Sequence, residues 1–476
     1  MEMPVEEASV IMLPPIAAEP VTRADQTEPH YRVGTLAYTP NSLARLFGWL
    51  FWGDLAWQLK DRSVGTVFQL LIKQFHASDL VCSLLLVTIP QIIGISLGPY
   101  VSIASDRHRG RLGRRIPFIL LPTPFAALSI IALGFAPMLG RWFNSATGGA
   151  ASSADRWILL FFGIFWVMFD ITTTVANSAF GPLVNDVVPP HFLGRFYGAF
   201  RAISLLAGIV FNFWVLGIAG KYYLPIFVGA GLLYGLGVPL MCWKVKEGTY
   251  PAMQEGGPLK EPGNRSPLKF YFGFARECLS KPYYLWVFAA IILPNLAMLP
   301  MNTFNLYFAQ SLGSSARHFG HLTALSFTFS LILTFPIAWL VDRFHSLRMA
   351  MIALMLHGTA TLWGSLYIHD QSTFAIAFVV TNTLAGVWLT STAPLAALLL
   401  PRMKFAQYGC ALGILNSVLN LVFAPMVGAF LDHCHHQYRY TYLWAFLLET
   451  CGFFATLVLF RKFKSAGGKE NYIAPE

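Results

Sequence analysis

Twelve times along this chain, about twenty consecutive residues are almost all apolar, the length a helix needs to cross the hydrocarbon core of a bilayer. The first six stretches are Gly48–Lys73, Leu80–Ser105, Ile116–Leu139, Trp157–Val184, Tyr197–Ala219 and Tyr223–Trp243. The second six are Leu285–Phe308, Gly320–Val341, Met349–Ile368, Phe374–Leu400, Gln407–Phe430 and Tyr442–Phe460. Composition agrees, since 55% of the residues are hydrophobic and only 12% are charged. Soluble chains carry roughly twice that share of charge. The apolar surplus is too large for one soluble core, so much of it must face lipid. The fold class expected is an all-α membrane protein.

Between the two sets of six lies a polar stretch, Lys244–Lys281. It holds the turn signals Gly256-Gly257-Pro258 and Glu261-Pro262-Gly263. The organisation expected is a tail over 1–42, a bundle over 43–243, a linker over 244–281, a bundle over 282–461 and a tail over 462–476. The first forty residues lack a basic-then-apolar signal pattern and read as a flexible cytoplasmic tail.

Orientation follows from the basic residues. With the N-terminus inside, the even loops and both tails hold 24 of the 33 Lys and Arg residues. The odd loops and their edges hold six, and Lys60, Arg62 and Arg201 fall within spans. That bias puts both termini in the cytoplasm. The net charge of +10 sits in short loops between apolar spans, which argues against a nucleic-acid partner. The six Cys residues show no zinc or disulfide spacing. No Walker motif, nucleophile elbow or His-Glu-x-x-His is present, so ATP drive and hydrolysis find no support and no enzyme is expected.

The sequence also echoes itself. Pro99 precedes Asp106 at the end of the second span, Pro336 precedes Asp342 in the eighth, and Pro425 precedes Asp432 in the eleventh. A proline six or seven residues before an acid thus recurs in second-of-three helices, as repeated three-helix units of transporters would give.

The loop after the second span reads Asp106-Arg107-His108-Arg109-Gly110-Arg111-Leu112-Gly113-Arg114-Arg115-Ile116-Pro117-Phe118. It resembles the Asp-Arg-x-Gly-Arg-Arg signature of the major facilitator superfamily. Its Arg-x-Gly-Arg-Arg-x-Pro-Phe form is closest to the glycoside-pentoside-hexuronide:cation symporters and the sucrose transporters. The resemblance implies two six-helix bundles with a central site, alternating access and a sugar substrate. It also implies a gating role for Asp106, Arg107, Gly110, Arg111, Gly113, Arg114 and Arg115. Gly110 and Gly113 permit a tight turn, and the charge cluster can latch the cytoplasmic side closed. Anchoring by positive charge is the plainer alternative. Gly181-Pro182-Leu183-Val184-Asn185-Asp186 resembles the end of the fourth helix in sucrose transporters, which adds Asp186, with Arg195 beyond it, to the gating set. Those transporters carry an acid earlier in that helix that is implicated in proton coupling; here Asp170 is the candidate.

The first span carries Asp54, Gln58 and Asp61 at i, i+4 and i+7, hence on one helix face. An acid in mid-span costs at least ~2.5–3.5 kcal/mol and should face a wet cavity with a partner. Lys60 and Arg62 are adjacent. A short outer loop at Lys60–Arg62 is the alternative, although Ser63–Phe75 alone would be too short to span. The Lys60-Asp61 pair also resembles the first helix of melibiose permease, where the acid lies in the sugar site. A carboxylate accepts two hydrogen bonds from neighbouring hydroxyls, and Trp57 can stack on a pyranose ring. Melibiose permease holds sodium with two acids on its second helix, whereas Leu80–Ser105 contains none. A proton is therefore the coupling ion expected, with uncoupled diffusion as the alternative, and no cofactor or metal is called for.

Asn295, Asn302 and Asn305 share a face of the seventh span, Asn416 and Asn420 lie in the eleventh, and Thr381, Asn382, Thr383 and Trp388 in the tenth. Amides in a cavity bind sugar hydroxyls, but they also glue helices together. His433-Cys434-His435-His436 reads as a solvated loop or, less simply, as a metal ligand set. The function expected is import of a sugar or glycoside by a monomeric proton symporter of the cell inner or plasma membrane. Asp54, Trp57, Gln58, Asp61, Asn302, Asn305 and Trp388 would bind substrate, and Asp61 and Asp170 would couple the proton. A transporter of a drug, organic acid or pigment precursor, or a non-transporting receptor or assembly factor, are the rival readings.

Overall fold

The structure is a computed structural model describing residues 31–33, 35–150, 153–248, 279–401, 405–468 and 472. Residues 1–30, the turn signals of the linker, Cys278, Arg402 and Lys404 lie outside the described residues. The first element is a hairpin, β1 (Tyr31–Val33) and β2 (Leu36–Tyr38), with Tyr31 paired to Tyr38. This part of the expected flexible tail is therefore ordered, and Tyr31 packs edge-on against Phe192 at 5.3 Å.

Among the described residues twelve long helices follow. In the first half they are α1 (Pro40–Gln74), α2 (Asp79–Arg107), α3 (Ile116–Ala146), α4 (Ala154–Val187), α5 (Pro190–Ala219) and α6 (Tyr223–Lys244). In the second half they are α7 (Pro282–Ser311), α8 (Ala316–Phe344), α9 (Ser346–Tyr367), α10 (Gln371–Leu399), α11 (Phe405–His433) and α12 (Tyr440–Ser465). All but α1 are long and apolar enough to cross a membrane. Asp54, Lys60, Asp61 and Arg62 set α1 apart, yet it runs unbroken for 35 residues. The alternative of a loop at Lys60–Arg62 is thereby excluded. The helix also begins eight residues earlier than Gly48, because Thr39 and Ser42 form a reciprocal capping box and Pro40 occupies the first turn. A second box, Asp370 with Thr373, starts α10. The Thr373 backbone N–H and hydroxyl hold the Asp370 carboxyl below its usual range.

Helices α1–α6 pack against one another, and α7–α12 do the same. The halves meet mainly where α2 lies along α11 and α5 along α8. Both seams need small residues. A Cβ on Gly428 would run into the Ser83 side chain and the Asp79 carbonyl, and one on Gly320 into the Asn212 carbonyl. Near each seam the first-half helix is wound as a short π-helix, Leu84–Thr88 in α2 and Phe211–Val215 in α5. Such turns break the regular hydrogen-bond ladder. In α2 the Leu85 carbonyl is taken up by the Trp166 indole N–H at 2.8 Å.

Candidate functional site

Among the described residues, two cavities open between the halves. The upper one, about 520 Å³, is lined by polar side chains from both: Asp61 and Gln69 of α1, Asn295 and Asn302 of α7, Asn416 and Asn420 of α11. The lower one, about 510 Å³, lies among Arg62, Arg201 and Ser204 of the first half and Phe327, Ser330 and Asn382 of the second. Arg62 and Asn302 border both.

The charges of α1 are resolved in different ways. Asp61 is 46% exposed, into the upper cavity, while Lys60 is 1% exposed. The Lys60 ammonium lies 2.6 Å from an Asp61 oxygen, a charge contact without hydrogen-bond geometry. It also stands over the rings of Trp57, Tyr234 and Phe169 at 4.6, 5.0 and 5.4 Å. A buried ammonium needs such a carboxylate and such ring faces, because desolvation alone would expel it. On the other side, Lys60 acts electrostatically on Asp170 of α4.

Arg62 starts a directed chain. Its guanidinium donates to Ser204 Oγ at 3.0 Å, Ser204 donates to Gln58 Oε1 at 2.8 Å, and Gln58 Nε2 donates to Asp54 Oδ1 at 3.2 Å. Every link points from cation to anion, so the two charges are joined without touching. The Arg62 head also lies 5.0 Å from the Phe327 ring of the second half.

One end of this space is sealed. Asp432 of α11 accepts the backbone N–H groups of Asp79 and Leu80, at 2.8 and 2.9 Å. The fully buried Asp79 carboxylate in turn meets Lys73 at 2.6 Å, His436 at 2.6 Å and the Tyr438 hydroxyl at 3.0 Å. Between α1 and α7, Gln69 Nε2 donates to the Thr303 carbonyl at 2.5 Å and Tyr307 donates to the Gln69 carbonyl at 2.9 Å.

The loop between α2 and α3 lies at the opposite end. Arg114 grips Asp186 with two hydrogen bonds, at 2.6 and 3.0 Å. Arg115 pairs with Asp106 and donates to Ser105 Oγ at 2.6 Å. Gly110 and Gly113 bridge to each other, and Gly113 has a φ of +100°, which a side chain would oppose. Glu247, just past α6, accepts the N–H groups of Arg114, Arg115 and Ile116 at 2.8, 2.9 and 2.6 Å. It thereby caps the first turn of α3 with a negative charge. These contacts tie α2, α3, α4 and the end of α6 into one rigid unit.

The sequence model of a family described as "MFS/sugar transport protein" matches residues 52–404. The chain belongs to that family. Solved structures give the same fold. A bacterial homologue of the iron transporter ferroportin, inward-facing, superposes with a TM-score of 0.64 at 15% identity, covering 88% of this chain and 99% of that one. A bacterial homologue of the human lysosomal transporter Spinster gives 0.63 at 15% identity, covering 91% and 99%. The inward-open xylose transporter from E. coli gives 0.60 at 15% identity, covering 88% and 95%. The chain is a multi-pass membrane transporter of the major facilitator fold, and not an enzyme.

Within this transporter the residues singled out from sequence separate. Asp61, Gln58 and Asn302 line the cavities. Asp54 is 2% exposed and reaches the cavity only through Gln58. Trp57 does not line either space: its ring is stacked on Phe180 at 5.1 Å with Tyr234 edge-on, so no face is left for a sugar. Asn305 and Trp388 are buried off the cavity, Trp388 packing with Met298, Ala353 and Leu354 in the second half. Asp170 is half-buried off both cavities, with one carboxylate oxygen unpartnered among the described residues. In the loop set, Arg107, Arg111 and Arg195 are exposed, and only Asp106, Arg114, Arg115 and Asp186 interlock. Arg115 pairs with Asp106 and Asp186, and Arg114 with Asp186, so among the described residues the cluster braces the first bundle. Gln69, Asp79, Asp432 and Glu247 were not foreseen. Their partners are far away in sequence, and only the Pro425–Asp432 echo marked one of them.

Proposed function

We propose that the transporter carries a sugar or glycoside through the space between its halves, by alternating access, with a proton as the coupling ion. The observation that carries this reading is the upper cavity: one exposed carboxylate, Asp61, facing the amides of Gln69, Asn295, Asn302, Asn416 and Asn420 from three helices. Carboxylates and amides match the vicinal hydroxyls of a sugar, offering both donors and acceptors. Two bundles contribute, so a bound sugar would be held only while both face it. The matching family's description and the likeness to a xylose transporter support the same substrate class.

The Lys and Arg bias puts the brace end and both termini in the cytoplasm. On that reading the sealed end faces outward, the conformation opens inward, and import ends in this state. Asp61 is the proton acceptor we favour. It is the cavity carboxylate that Lys60 contacts, so its protonation would leave Asp170 as the charged acid beside Lys60. Asp170 would then be the second acid of the relay. We place the protein in the inner or plasma membrane as a monomer.

The test is uptake of labelled maltose or sucrose into proteoliposomes, with and without an inward proton gradient. Saturable uptake that the gradient accelerates, and that Asp61→Asn removes, is the expected result. Uptake untouched by Asp61→Asn and Asp170→Asn would overturn the site.

A further inference from the structure

Asp54, Gln58 and Arg62 follow one another every four residues, so one face of α1 stacks an acid, an amide and a cation on successive turns. Ser204 of α5 bridges the last two, accepting from Arg62 at 3.0 Å and donating to Gln58 Oε1 at 2.8 Å. Gln58 Nε2 then donates to Asp54 Oδ1 at 3.2 Å. Asp54 is 2% exposed and borders neither cavity, so a solute in those cavities does not touch it. Its other oxygen, Oδ2, is buried and has no hydrogen-bond partner among the described residues. A buried carboxylate so sparsely satisfied is costly to keep, and its one hydrogen bond leads along the chain to Arg62.

Arg62 is where the chain leaves the first half, with its guanidinium 5.0 Å from the Phe327 ring of α8. Gly208, one turn beyond Ser204, leaves room for that approach, because a Cβ there would stand 2.7 Å from the ring and 3.5 Å from Arg62 Nε. The charges nearby do not orient the guanidinium. Asp61 attracts it but is in contact with Lys60, whose other acid is Asp170, and the exposed Arg201 repels it. The contact that fixes its direction is the hydrogen bond to Ser204.

We propose that Asp54 is a positioning residue of the transport cycle: through Gln58 and Ser204 it holds the Arg62 guanidinium against Phe327, and so favours the conformation sealed at Asp432. The proposal rests on alternating access and not on the identity of the solute or of the coupling ion. The carboxylate fixes the sense of the Gln58 amide, since only the NH2 end can donate to an anion. That turns the amide oxygen toward Ser204, whose hydroxyl proton then points to Gln58 and leaves its lone pairs to Arg62. An amide at position 54 can present either a donor or an acceptor to Gln58. The order of donors is then no longer imposed, and Arg62 loses its fixed anchor. Removing the acid thus acts at a distance, on a contact between the halves.

The experiment follows alkylation of Cys82, fully buried near the seal, by a membrane-impermeant maleimide in the purified full-length protein at fixed pH. Asp54→Asn, Ser204→Ala and Phe327→Leu should each raise the rate about three- to tenfold, the weight of one such contact in a two-state balance. Asp54→Asn combined with Ser204→Ala should react no faster than either alone, because both cut one chain, whereas unrelated structural defects would multiply. Ser204→Thr, which keeps the hydroxyl, should restore most of the protection. Ser204→Ala changes one hydroxyl on the cavity wall, so it tests the chain even if Asp54→Asn lowers the melting temperature. Cys82 unchanged in Asp54→Asn and Ser204→Ala, while Gly428→Val exposes it, would overturn the proposal and leave alternating access standing. Multiplied effects in the double variant would also overturn it, since Asp54 would then act apart from Ser204. Cys82 unmoved in every variant, Gly428→Val included, would overturn alternating access at this seam and the proposal with it.

Discussion

Asp432 of α11 caps the first turn of α2 by accepting the N–H of Asp79 at 2.8 Å and that of Leu80 at 2.9 Å. An acid of one half thus completes a helix terminus of the other. The first turn of a helix has N–H groups without internal partners. Opening this end must strip them of their acceptor and leave Asp79, Lys73 and His436 to rearrange.

Asp432→Ala should therefore loosen the seal. Cys82, fully buried next to this seam, is a native reporter. Its alkylation by a membrane-impermeant maleimide, followed by mass spectrometry, should rise severalfold in Asp432→Ala. Lost charge-assisted hydrogen bonds are worth about 1.5–3 kcal/mol each, enough to shift a two-state equilibrium tenfold or more. An unchanged rate would show that the cap does not hold the end shut.

Steric closure makes a separate prediction. Gly428→Val places methyl groups where Ser83 and the Asp79 carbonyl now lie. The sealed conformation should be disfavoured, again exposing Cys82, while α11 itself keeps its helix. Gly413, which has open space around its Cα, serves as the control, and Gly413→Val should leave Cys82 protected.

These seams mark where the sequence was legible and where it was not. The twelve helices could be read because each needs only its own apolar run, and the unbroken α1 because its remnant beyond Arg62 is too short to span. Faces were harder. Asp54, Trp57, Gln58 and Asp61 lie within two turns, yet Asp61 is wet, Asp54 is sealed and Trp57 is stacked in the bundle interior. Helical spacing fixes which residues share a face, but not how far along that face the cavity extends. Trp388 and Asn305 went astray for the same reason, since a polar or aromatic residue in an apolar helix faces a neighbour as readily as a cavity. Glu247 was invisible because its partners, Arg114 to Ile116, are more than a hundred residues away.

Glu247→Ala should destabilise the brace. Three backbone N–H groups lose their acceptor, and the first turn of α3 loses a favourable charge. The cap term alone is worth about 0.5–2 kcal/mol. A lower melting temperature is expected, with partial recovery in Glu247→Gln, whose amide oxygen still accepts. Equal melting temperatures for Glu247→Ala and the parent would show that the cap contributes nothing.

Trp57 and Asp61 should part company in transport. Trp57→Phe keeps a ring against Phe180 and beneath Lys60, so sugar affinity should stay within about twofold while stability falls by roughly 1–2 kcal/mol. Asp61→Asn loses a charged acceptor in the cavity, and affinity or rate should fall about ten- to a hundredfold. Competition binding with labelled sugar compares the two. A large affinity loss in Trp57→Phe would return that ring to the substrate site.

The most direct test is sugar-driven proton movement in proteoliposomes without an imposed gradient, read by a pH-sensitive dye inside the vesicles. Adding sugar outside should acidify the lumen in the parent and leave it unchanged in Asp61→Asn. Sugar entering at the same rate with no proton movement in either protein would contradict proton coupling through Asp61.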